Sequence, residues 1–277
     1  MSNADSMPWL IVEAGKQEKR YFNDLWRYRE LFYILAWRDI LVRYKQTVIG
    51  VLWAVLRPVT TMVVFTVIFG RIAKLPSDGV AYPILVFSAM LPWQFFSSSL
   101  TESSQSLISN ANMISKVYFP RLIMPVSTVV VSFADFLIAF LILIPLMAWY
   151  HFVPSIKIVV LPFYILLAFM AALGTGLWLC ALTVKYRDFR YVVPFVVQLG
   201  MYVSPVGFSS SLIPEQYRLL YSLNPMVSVI DGFRWAIIGN TELYVPGFLI
   251  SVATIALIFV SGLWYFRKTE RTFADII

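Results

Sequence analysis

The chain has 277 residues, of which 60% are hydrophobic and only 13% are charged, and its formal net charge is +7. Soluble domains carry about 25% charged and about 45–50% apolar residues, and a soluble fold of this length has no interior large enough for the excess of apolar side chains. The composition therefore excludes an ordinary soluble domain and predicts an all-α membrane domain of roughly six helices, each about 20 residues long.

The N-terminal segment, residues 1–46, is predicted to form a cytoplasmic tail followed by an amphipathic helix. A helix over 23–46 carries too many charges to span a bilayer. At 100° per residue, its aromatic side chains share one face and its cations lie on an adjoining face, which is typical of a helix in the membrane interface. The residues with this pattern are Trp26, Arg27, Tyr33, Trp37, Arg38, Tyr44 and Lys45.

Residues 47–277 are predicted to form one transmembrane domain with six spans. Each span contains an apolar run long enough to cross, and polar or charged stretches separate the runs. The predicted spans cover residues 48–70, 82–107, 122–150, 158–184, 191–208 and 243–266.

The stretch 212–238, before the last span, has a different pattern. It contains two apolar pieces that are too short to cross, divided at Asn224-Pro225. Proline stops helices, and the residue before it avoids the α region. We therefore expect a short re-entrant pair of helices at the outer membrane face, where irregular backbone must lie against protein or water.

The distribution of basic residues predicts that both termini are cytoplasmic. With six spans and an inner N-terminus, 16 of the 22 Lys and Arg residues lie on inner segments, five lie on outer segments, and Arg57 lies inside the first span. Cytoplasmic flanks of membrane helices collect Lys and Arg. The net charge therefore has an explanation that involves no nucleic acid.

Motifs of common active sites are absent from the sequence. No G-x-x-x-x-G-K-[ST] occurs, so the chain is not expected to bind or hydrolyse ATP, and neither G-x-S-x-G nor H-E-x-x-H is found. One histidine and one cysteine cannot supply a multi-ligand His/Cys metal site. A membrane-embedded enzyme acting on a lipid-linked sugar would need clustered acids or histidines. It stays open as an alternative, because Glu102 and Asp135 lie inside predicted spans.

Three blocks of the sequence carry a family resemblance. They are WRDILVRYKQTVIGVLWAVLRP at 37–58, FSAMLPWQFFSSSLTESSQSLISNANMISKVYFPRLIMPV at 87–126, and SPVGFSSSLIPEQYRLLYSLNPMVSVIDGFR at 204–234. In order and spacing they resemble the ABC-2 family of export permeases, especially the branch that exports O-antigen, capsular polysaccharide and teichoic acid. With the hydropathy pattern, the resemblance covers nearly the whole chain.

The resemblance implies the permease subunit of a polysaccharide exporter in the bacterial inner membrane. Such permeases form homodimers with the path between the two subunits, and the amphipathic helix flanks the dimer. Two copies of a separate cytoplasmic subunit bind ATP and Mg and hydrolyse the ATP, so no cofactor is expected in this chain. The implied cargo is a lipid-linked polysaccharide that moves from cytoplasm to periplasm. A permease for a small lipid or a drug is the alternative within the family.

The resemblance also implies roles for two inner loops, while the re-entrant pair would cap the outer end. The loop between the second and third spans would act as a coupling helix against the ATPase, through Asn112, Met113, Ser115, Lys116, Tyr118 and Arg121. The turn after the fourth span would form a second inner contact or gate, through Lys185, Tyr186, Arg187, Asp188, Phe189 and Arg190.

Mixed aromatic and hydroxyl faces in the second and fifth spans are candidates to line a polar path. Sugar rings present apolar C–H faces, which an aromatic ring can contact without fixed hydrogen bonds. A charged residue at mid-span costs about 2.5–3.5 kcal/mol on insertion scales. We therefore expect Asp135 either to bond a neighbouring helix or to face the path or the dimer seam. The lining candidates are Trp93, Phe95, Phe96, Ser97, Asp135, Tyr202, Ser204 and Phe208.

Overall fold

The structure is a computed structural model that describes residues 21–45, 52–239 and 243–273. Within these ranges the regular secondary structure is entirely helical, which confirms the all-α membrane class. Five helices there are long and apolar enough to cross a bilayer, namely Leu52–Ile72, Tyr82–Ser109, Ile123–Trp149, Ile156–Lys185 and Val245–Thr272.

The helices of the described residues are numbered here in chain order. The N-terminal part forms α1 (Tyr21–Arg27) and α2 (Arg29–Lys45). The α-helices of the membrane domain are α3 (Leu52–Phe65), α4 (Tyr82–Ser109), α5 (Ala111–Ile114), α6 (Ile123–Trp149), α7 (Leu161–Lys185), α8 (Phe189–Val203), α9 (Glu215–Tyr221), α10 (Pro225–Ile238) and α11 (Val245–Thr269). Helix α3 continues as a π-helix over Thr66–Ile72, and short 3₁₀ turns precede α7 (Ile156–Val160), precede α9 (Ser210–Leu212) and follow α11 (Glu270–Thr272).

The fifth predicted span, 191–208, corresponds to a shorter helix than expected. It forms α8, which has 15 residues, fewer than the roughly 20 that a span needs. After α8 the backbone becomes extended at Ser204. The count of six spans therefore stays a prediction, supported by five clear candidates and this one shorter apolar helix among the described residues.

The core of the domain lies around α4. This helix packs against α6, α7 and α10, and α11 packs on the far side of α7. Ile84, Phe87 and Leu107 of α4 are fully buried. The outer helices instead keep large apolar side chains exposed, as at Leu141 and Leu257, because in a membrane these faces contact lipid or another subunit rather than water.

The segment before the last span divides where the sequence predicts. Asn224 ends the break after α9, and its side chain accepts a hydrogen bond from the Met226 N–H at 3.0 Å. Pro225 occupies the first helical position of α10, where its missing N–H has no cost. Gly239 then ends α10 with a φ of +83°, in the left-handed region that favours glycine. The placement of α9 and α10 as a re-entrant pair stays a prediction.

The close crossing of α7 and α11 supplies a test of the packing. A Cβ atom at Gly174 would lie 2.6 Å from the Cα of Phe259, so Gly174→Val must push the two helices apart. We expect a loss of about 1–3 kcal/mol in the free energy of unfolding, as for other overpacked sites, measured by thermal unfolding in detergent. Ala256→Val, on the exposed face of α11, is the control, and equal midpoints for both variants would contradict the assignment.

Candidate functional site

A polar cavity of about 1050 Å³ follows one face of α4, and we call it the polar groove. The face consists of amide and hydroxyl side chains spaced three or four residues apart, which places them on one side of a helix. Between its first and last members α4 rises about 22 Å, most of the roughly 30 Å of a hydrocarbon core. The members are Gln94, Ser98, Thr101, Gln105 and Ser109.

Three other helices complete the walls of the polar groove. Helix α2 contributes charged side chains, α3 contributes Trp53 and Arg57, and α6 contributes hydroxyls, a carboxylate and the Phe136 ring. The groove therefore combines hydrogen-bonding groups, charges and aromatic faces within the membrane domain. The lining from α2 and α6 includes Arg38, Asp39, Arg43, Tyr44, Thr128, Ser132 and Asp135.

A partly buried charge cluster forms one wall of the groove. Arg43 of α2 donates through Nη1 to Asp135 of α6 and through Nη2 to Glu102 of α4. The Tyr44 hydroxyl donates to the other oxygen of Asp135, and Ser132 Oγ donates to Glu102 at 3.4 Å. The two acids on separate spans thus meet through one guanidinium. Asp135 both bonds a neighbouring helix and faces a polar cavity, which explains how a charge is accommodated at this depth.

Tyr44 acts in this cluster as a hydrogen-bond donor. Burial, and then the hydrogen bond to Asp135, raise the pKa of the Tyr44 hydroxyl. The hydroxyl therefore keeps its proton at physiological pH and supplies Asp135 with a donor in addition to the guanidinium.

The C-terminal turn of helix α2 contacts the interior of the membrane domain, so α2 does not lie parallel to the expected membrane surface over its whole length. Arg38 donates to the Asn110 side chain at 3.4 Å, next to the C-terminal end of α4. Five residues later, Arg43 contacts Glu102 of α4, which lies eight residues before Asn110. That separation is about 12 Å of helix, so the side chains of the C-terminal turn of α2 reach α4 well inside its C-terminal end.

The predicted interface face of α1 and α2 remains on the outside of the protein. Trp26, Tyr33 and Trp37 are exposed, and the rings of Tyr33 and Trp37 stack with their centroids 6.4 Å apart. Arg27 and Lys45 are exposed as well. Aromatic rings and cations in these positions suit contact with lipid headgroups, whereas the opposite face of α2 packs on α6.

The predicted coupling loop contains one helical turn, α5, with an exposed tip. Asn112, Ser115, Lys116 and Tyr118 are exposed, whereas Met113 is partly buried against the core. These exposed residues form one surface, which we call the loop tip. Their contact with an ATPase stays a prediction.

Arg121, the sixth predicted coupling residue, is bound within the protein. Its backbone N–H donates to the Glu270 carboxylate at 2.7 Å, and its Nη1 donates to the Glu270 carbonyl at 2.6 Å. The Tyr21 hydroxyl donates to the same carboxylate at 2.8 Å, and Arg267 lies over the Tyr21 ring. Burial, and then the negative charge of Glu270, raise the pKa of Tyr21. This junction, which sequence reasoning missed, ties the base of the loop to both ends of the described chain.

The predicted inner turn between α7 and α8 is exposed over most of its length. Lys185, Tyr186, Arg187, Asp188 and Arg190 are exposed, and Phe189 is half-buried. Its ring lies 6.4 Å from that of Tyr186, while Lys185 Nζ lies 5.2 Å from the Tyr186 ring centroid. The turn has the exposure that a contact surface needs, and its role as a second contact or gate stays a prediction.

The predicted lining residues divide into two groups. The first group, which lines the polar groove, is Phe95, Ser97 and Asp135. The others lie elsewhere among the described residues. Trp93 and Phe96 are buried, with Trp93 against Gly200 of α8. Tyr202 is exposed on α8, Ser204 accepts from Asn224 at 3.0 Å, and the Phe208 carbonyl accepts from Arg234 at 2.6 Å. Any role of this second group in a path between two subunits stays a prediction.

These features define a polytopic helical membrane protein with a hydrophilic groove inside its membrane domain. The chain belongs to the ABC-2 type transporter family, whose model matches residues 30–238. This match confirms the resemblance found in the three sequence blocks.

Curated relatives align over almost their entire length. The chain is 28% identical over 249 residues to the O-antigen export system permease protein RfbA of Klebsiella pneumoniae, covering 90% of this chain and 95% of that protein. It is 27% identical over 266 residues to the protein of the same name from Myxococcus xanthus, covering 93% and 99%. It is 24% identical over 249 residues to the polysialic acid transport protein KpsM of Escherichia coli, covering 84% and 91%.

Proposed function

We propose that the chain is the permease subunit of an ABC exporter that moves a lipid-linked polysaccharide from cytoplasm to periplasm across the bacterial inner membrane. The polar groove is the observation that carries this proposal. A polyhydroxylated chain loses its water in a membrane and needs replacement hydrogen bonds, which the amide and hydroxyl face of α4 can supply. Trp53, which is 52% exposed, adds an aromatic face for sugar rings.

The groove also favours a polymer over a small lipid or a drug as cargo. A small apolar cargo would be served by a lipid-lined seam and would not need a hydrophilic surface about 22 Å long. The relatives named for O-antigen and polysialic acid export support the same choice. We propose that each subunit of a homodimer contributes one such groove to the path.

The energy source is proposed to be two copies of a separate cytoplasmic ATPase that binds ATP and Mg. The loop tip offers this partner an exposed aromatic ring, a cation, an amide and a hydroxyl, a combination that suits a protein interface. The inner turn at 185–190 would form the second contact or gate. In this arrangement residues 1–46 form the cytoplasmic and interfacial part, residues 47–277 form the membrane domain, and both termini are cytoplasmic.

Co-purification tests both the partner and the docking surface. Wild-type protein extracted from its native membrane in mild detergent is expected to retain an ATP-hydrolysing subunit. Lys116→Ala combined with Tyr118→Ala should reduce the retained ATPase activity about tenfold, because an aromatic anchor at an interface contributes well over 1 kcal/mol. The matched control is Ile72→Ala with Lys74→Ala, which truncates an exposed apolar residue and a cation outside the loop tip.

Two results would contradict these assignments. Recovery of a clean dimer without any nucleotide-binding partner, from cells that are actively making surface polymer, would overturn the permease proposal and favour the embedded enzyme. Equal retention of the partner by the loop-tip variant and its control would leave the permease in place but remove the loop tip as its docking surface.

A further inference from the structure

A second cavity, of about 340 Å³, lies at the end of the domain that carries α9 and α10. Its walls come from α9, α10, the start of α11 and the loops that precede α4 and α9. Arg234, which lines it, donates to the Leu85 carbonyl in the first turn of α4, whereas the polar face of the groove begins at Gln94, about 14 Å farther along that helix. The two cavities share no lining residue in the described part of the chain, so the second cavity is a separate feature of the molecule.

The charged groups that line the second cavity balance one another. Two are carboxylates, Asp78 and Asp231, and two are guanidinium groups, Arg218 and Arg234. Arg234 donates to three backbone carbonyls and Arg218 to two, so these cations hold the walls together. An ion would gain little from a lining without net charge, and the carboxylates remain as strong hydrogen-bond acceptors.

Asp78 carries an acceptor that no protein group satisfies among the described residues. Its Oδ2 atom is buried and has no hydrogen-bond partner there, although buried polar atoms nearly always have one. Its backbone has a φ of +51°, and the next residue, Gly79, has a φ of +80°, so the turn is held in the left-handed region. Strain of this kind persists where the surrounding structure fixes it, and it clusters at ligand sites. The unsatisfied oxygen indicates a bound group that donates a hydrogen bond.

The remaining polar groups of the second cavity are hydroxyls. A hydroxyl both donates and accepts a hydrogen bond, so such a lining matches the hydroxyls of a ligand in either role. Ser211 donates to Ser209 at 2.9 Å, and Tyr244, which is 38% exposed, adds an aromatic ring. The serines of the lining are Ser209, Ser210, Ser211, Ser222 and Ser228.

The second cavity adjoins an exposed face of α8. The hydroxyl of Tyr221, which lines the cavity, donates to the carbonyl of Val203 at 2.8 Å, and Val203 is the last residue of α8. Phe195, Leu199 and Tyr202 of this helix are exposed and lie three or four residues apart, so they share one face. In the proposed homodimer such a face suits the seam along which the polymer passes.

We propose that the second cavity binds one neutral sugar residue of the exported polymer, with Asp78 and Asp231 accepting hydrogen bonds from its hydroxyls and Tyr244 contacting its C–H face. This inference rests on the proposed function and adds to it a sugar site outside the polar groove. The volume is at the small end of the roughly 300–1,000 Å³ of ligand sites, which fits a single residue better than a length of chain. In the proposed orientation the cavity lies at the periplasmic end, where the polymer leaves.

Protection of an introduced thiol tests the site. Ser211→Cys places a thiol on the lining, and Cys180 is fully buried, so a water-soluble maleimide labels mainly the new position of the full chain in phosphatidylcholine nanodiscs. The probe is the neutral fraction, from anion exchange, of the oligosaccharides that mild acid releases from the surface polymer of cells making this chain. At about ten times its half-saturating concentration the probe should slow labelling about tenfold, because only the empty site reacts. Glu215→Cys, exposed on α9 and outside the cavity, is the control and should be labelled at an unchanged rate.

Two acid variants, each combined with Ser211→Cys, test the acceptors. Asp78→Asn keeps a side chain that tolerates the left-handed backbone but replaces a carboxylate oxygen by a donor, and Asp231→Asn makes the same change on α10. Each should raise the half-saturating concentration about tenfold, the effect of losing one hydrogen bond to a charged group, without changing the thermal unfolding midpoint. Glu215→Gln should match the parent. Oligosaccharides whose vicinal diols have been cleaved with periodate and reduced with borohydride should no longer protect.

Several outcomes would overturn the inference. Unchanged labelling of Ser211→Cys at every probe concentration would show that the cavity binds no sugar, and equal slowing at Glu215→Cys would show unspecific shielding. Unchanged half-saturating concentrations in both acid variants, or stronger protection by the acidic oligosaccharide fraction, would remove the carboxylates from the site. Polymer export is measured separately. Export that requires this chain, together with an unprotected Ser211→Cys, would make the sugar site wrong and leave the permease standing, whereas normal export by cells that lack the chain would contradict the proposed function itself.

Discussion

Arg43→Gln is expected to lower polymer export at least about tenfold and to reduce the free energy of unfolding by about 2 kcal/mol, somewhat less than for a fully buried ion pair, because the three side chains are only partly buried. The substitution leaves Glu102 and Asp135 close to each other without a cation, and it removes the guanidinium contacts that join α2 to both spans. Thermal unfolding in detergent measures the stability, and surface polymer in cells that express the variant measures the export.

Two further variants show whether the effect of Arg43→Gln comes from the unbalanced charge or from any change to the hydrogen bonds of the cluster. Asp135→Asn keeps an acceptor for Tyr44 and leaves one cation with one carboxylate, so we expect a loss of about 1 kcal/mol, the size of a single weakened hydrogen bond. Arg43→Lys keeps the charge, but a compact ammonium cannot span two carboxylates as a guanidinium does, and its effect should be intermediate. If Asp135→Asn reduced export more than Arg43→Gln in a normally folded protein, Asp135 would act through the path and not through this pairing.

The positions of the helices in the chain follow from local properties of the sequence. Apolar runs of adequate length, and the break at Asn224-Pro225, predict helix bounds close to those observed for α4, α6, α10 and α11. The polar face of α4 is also visible in the sequence, because Gln94, Ser98, Thr101, Gln105 and Ser109 follow a helical period. Sequence reasoning noted the serines but not this period, and it therefore missed the groove.

The charge cluster could not be predicted from local sequence. The contacts of Arg43 join residues separated by 59 and 92 positions in the chain, and hydropathy does not fix how one helix is rotated against another. The same limit applies to Arg121, whose partner Glu270 lies 149 positions away. Sequence alone gives exposure as the default for a cation in an inner loop, and only the fold shows that this one is bound at the base of the loop.

The end of the domain that carries α9 and α10 depends on a different arginine, which is the last residue of the third sequence block. Arg234 of α10 is 2% exposed, and its guanidinium donates to three backbone carbonyls. These belong to Leu85 at 3.2 Å, Val206 at 3.1 Å and Phe208 at 2.6 Å. One side chain thus joins α10 to α4 and to the extended segment after α8. The Leu85 carbonyl also accepts from Ser88 Oγ at 2.9 Å, so we expect the loss of the guanidinium to matter most at the carbonyls of Val206 and Phe208, because a buried acceptor left unsatisfied is costly.

Arg234→Met is therefore expected to lower the free energy of unfolding by about 3–5 kcal/mol, because three charge-assisted hydrogen bonds are lost while the apolar volume is largely kept. Arg234→Lys should be intermediate, since an ammonium cannot reach three divergent carbonyls. Thermal unfolding in detergent gives the stability, and amide hydrogen exchange over 204–209 should rise. The control is Arg218→Met, whose bonds to the carbonyls of Ser211 and Ile213 lie in a less buried loop. Equal effects of the two methionine variants would contradict this prediction, because they would show that the carbonyl contacts of Arg234 add no stability beyond the contacts of the less buried Arg218.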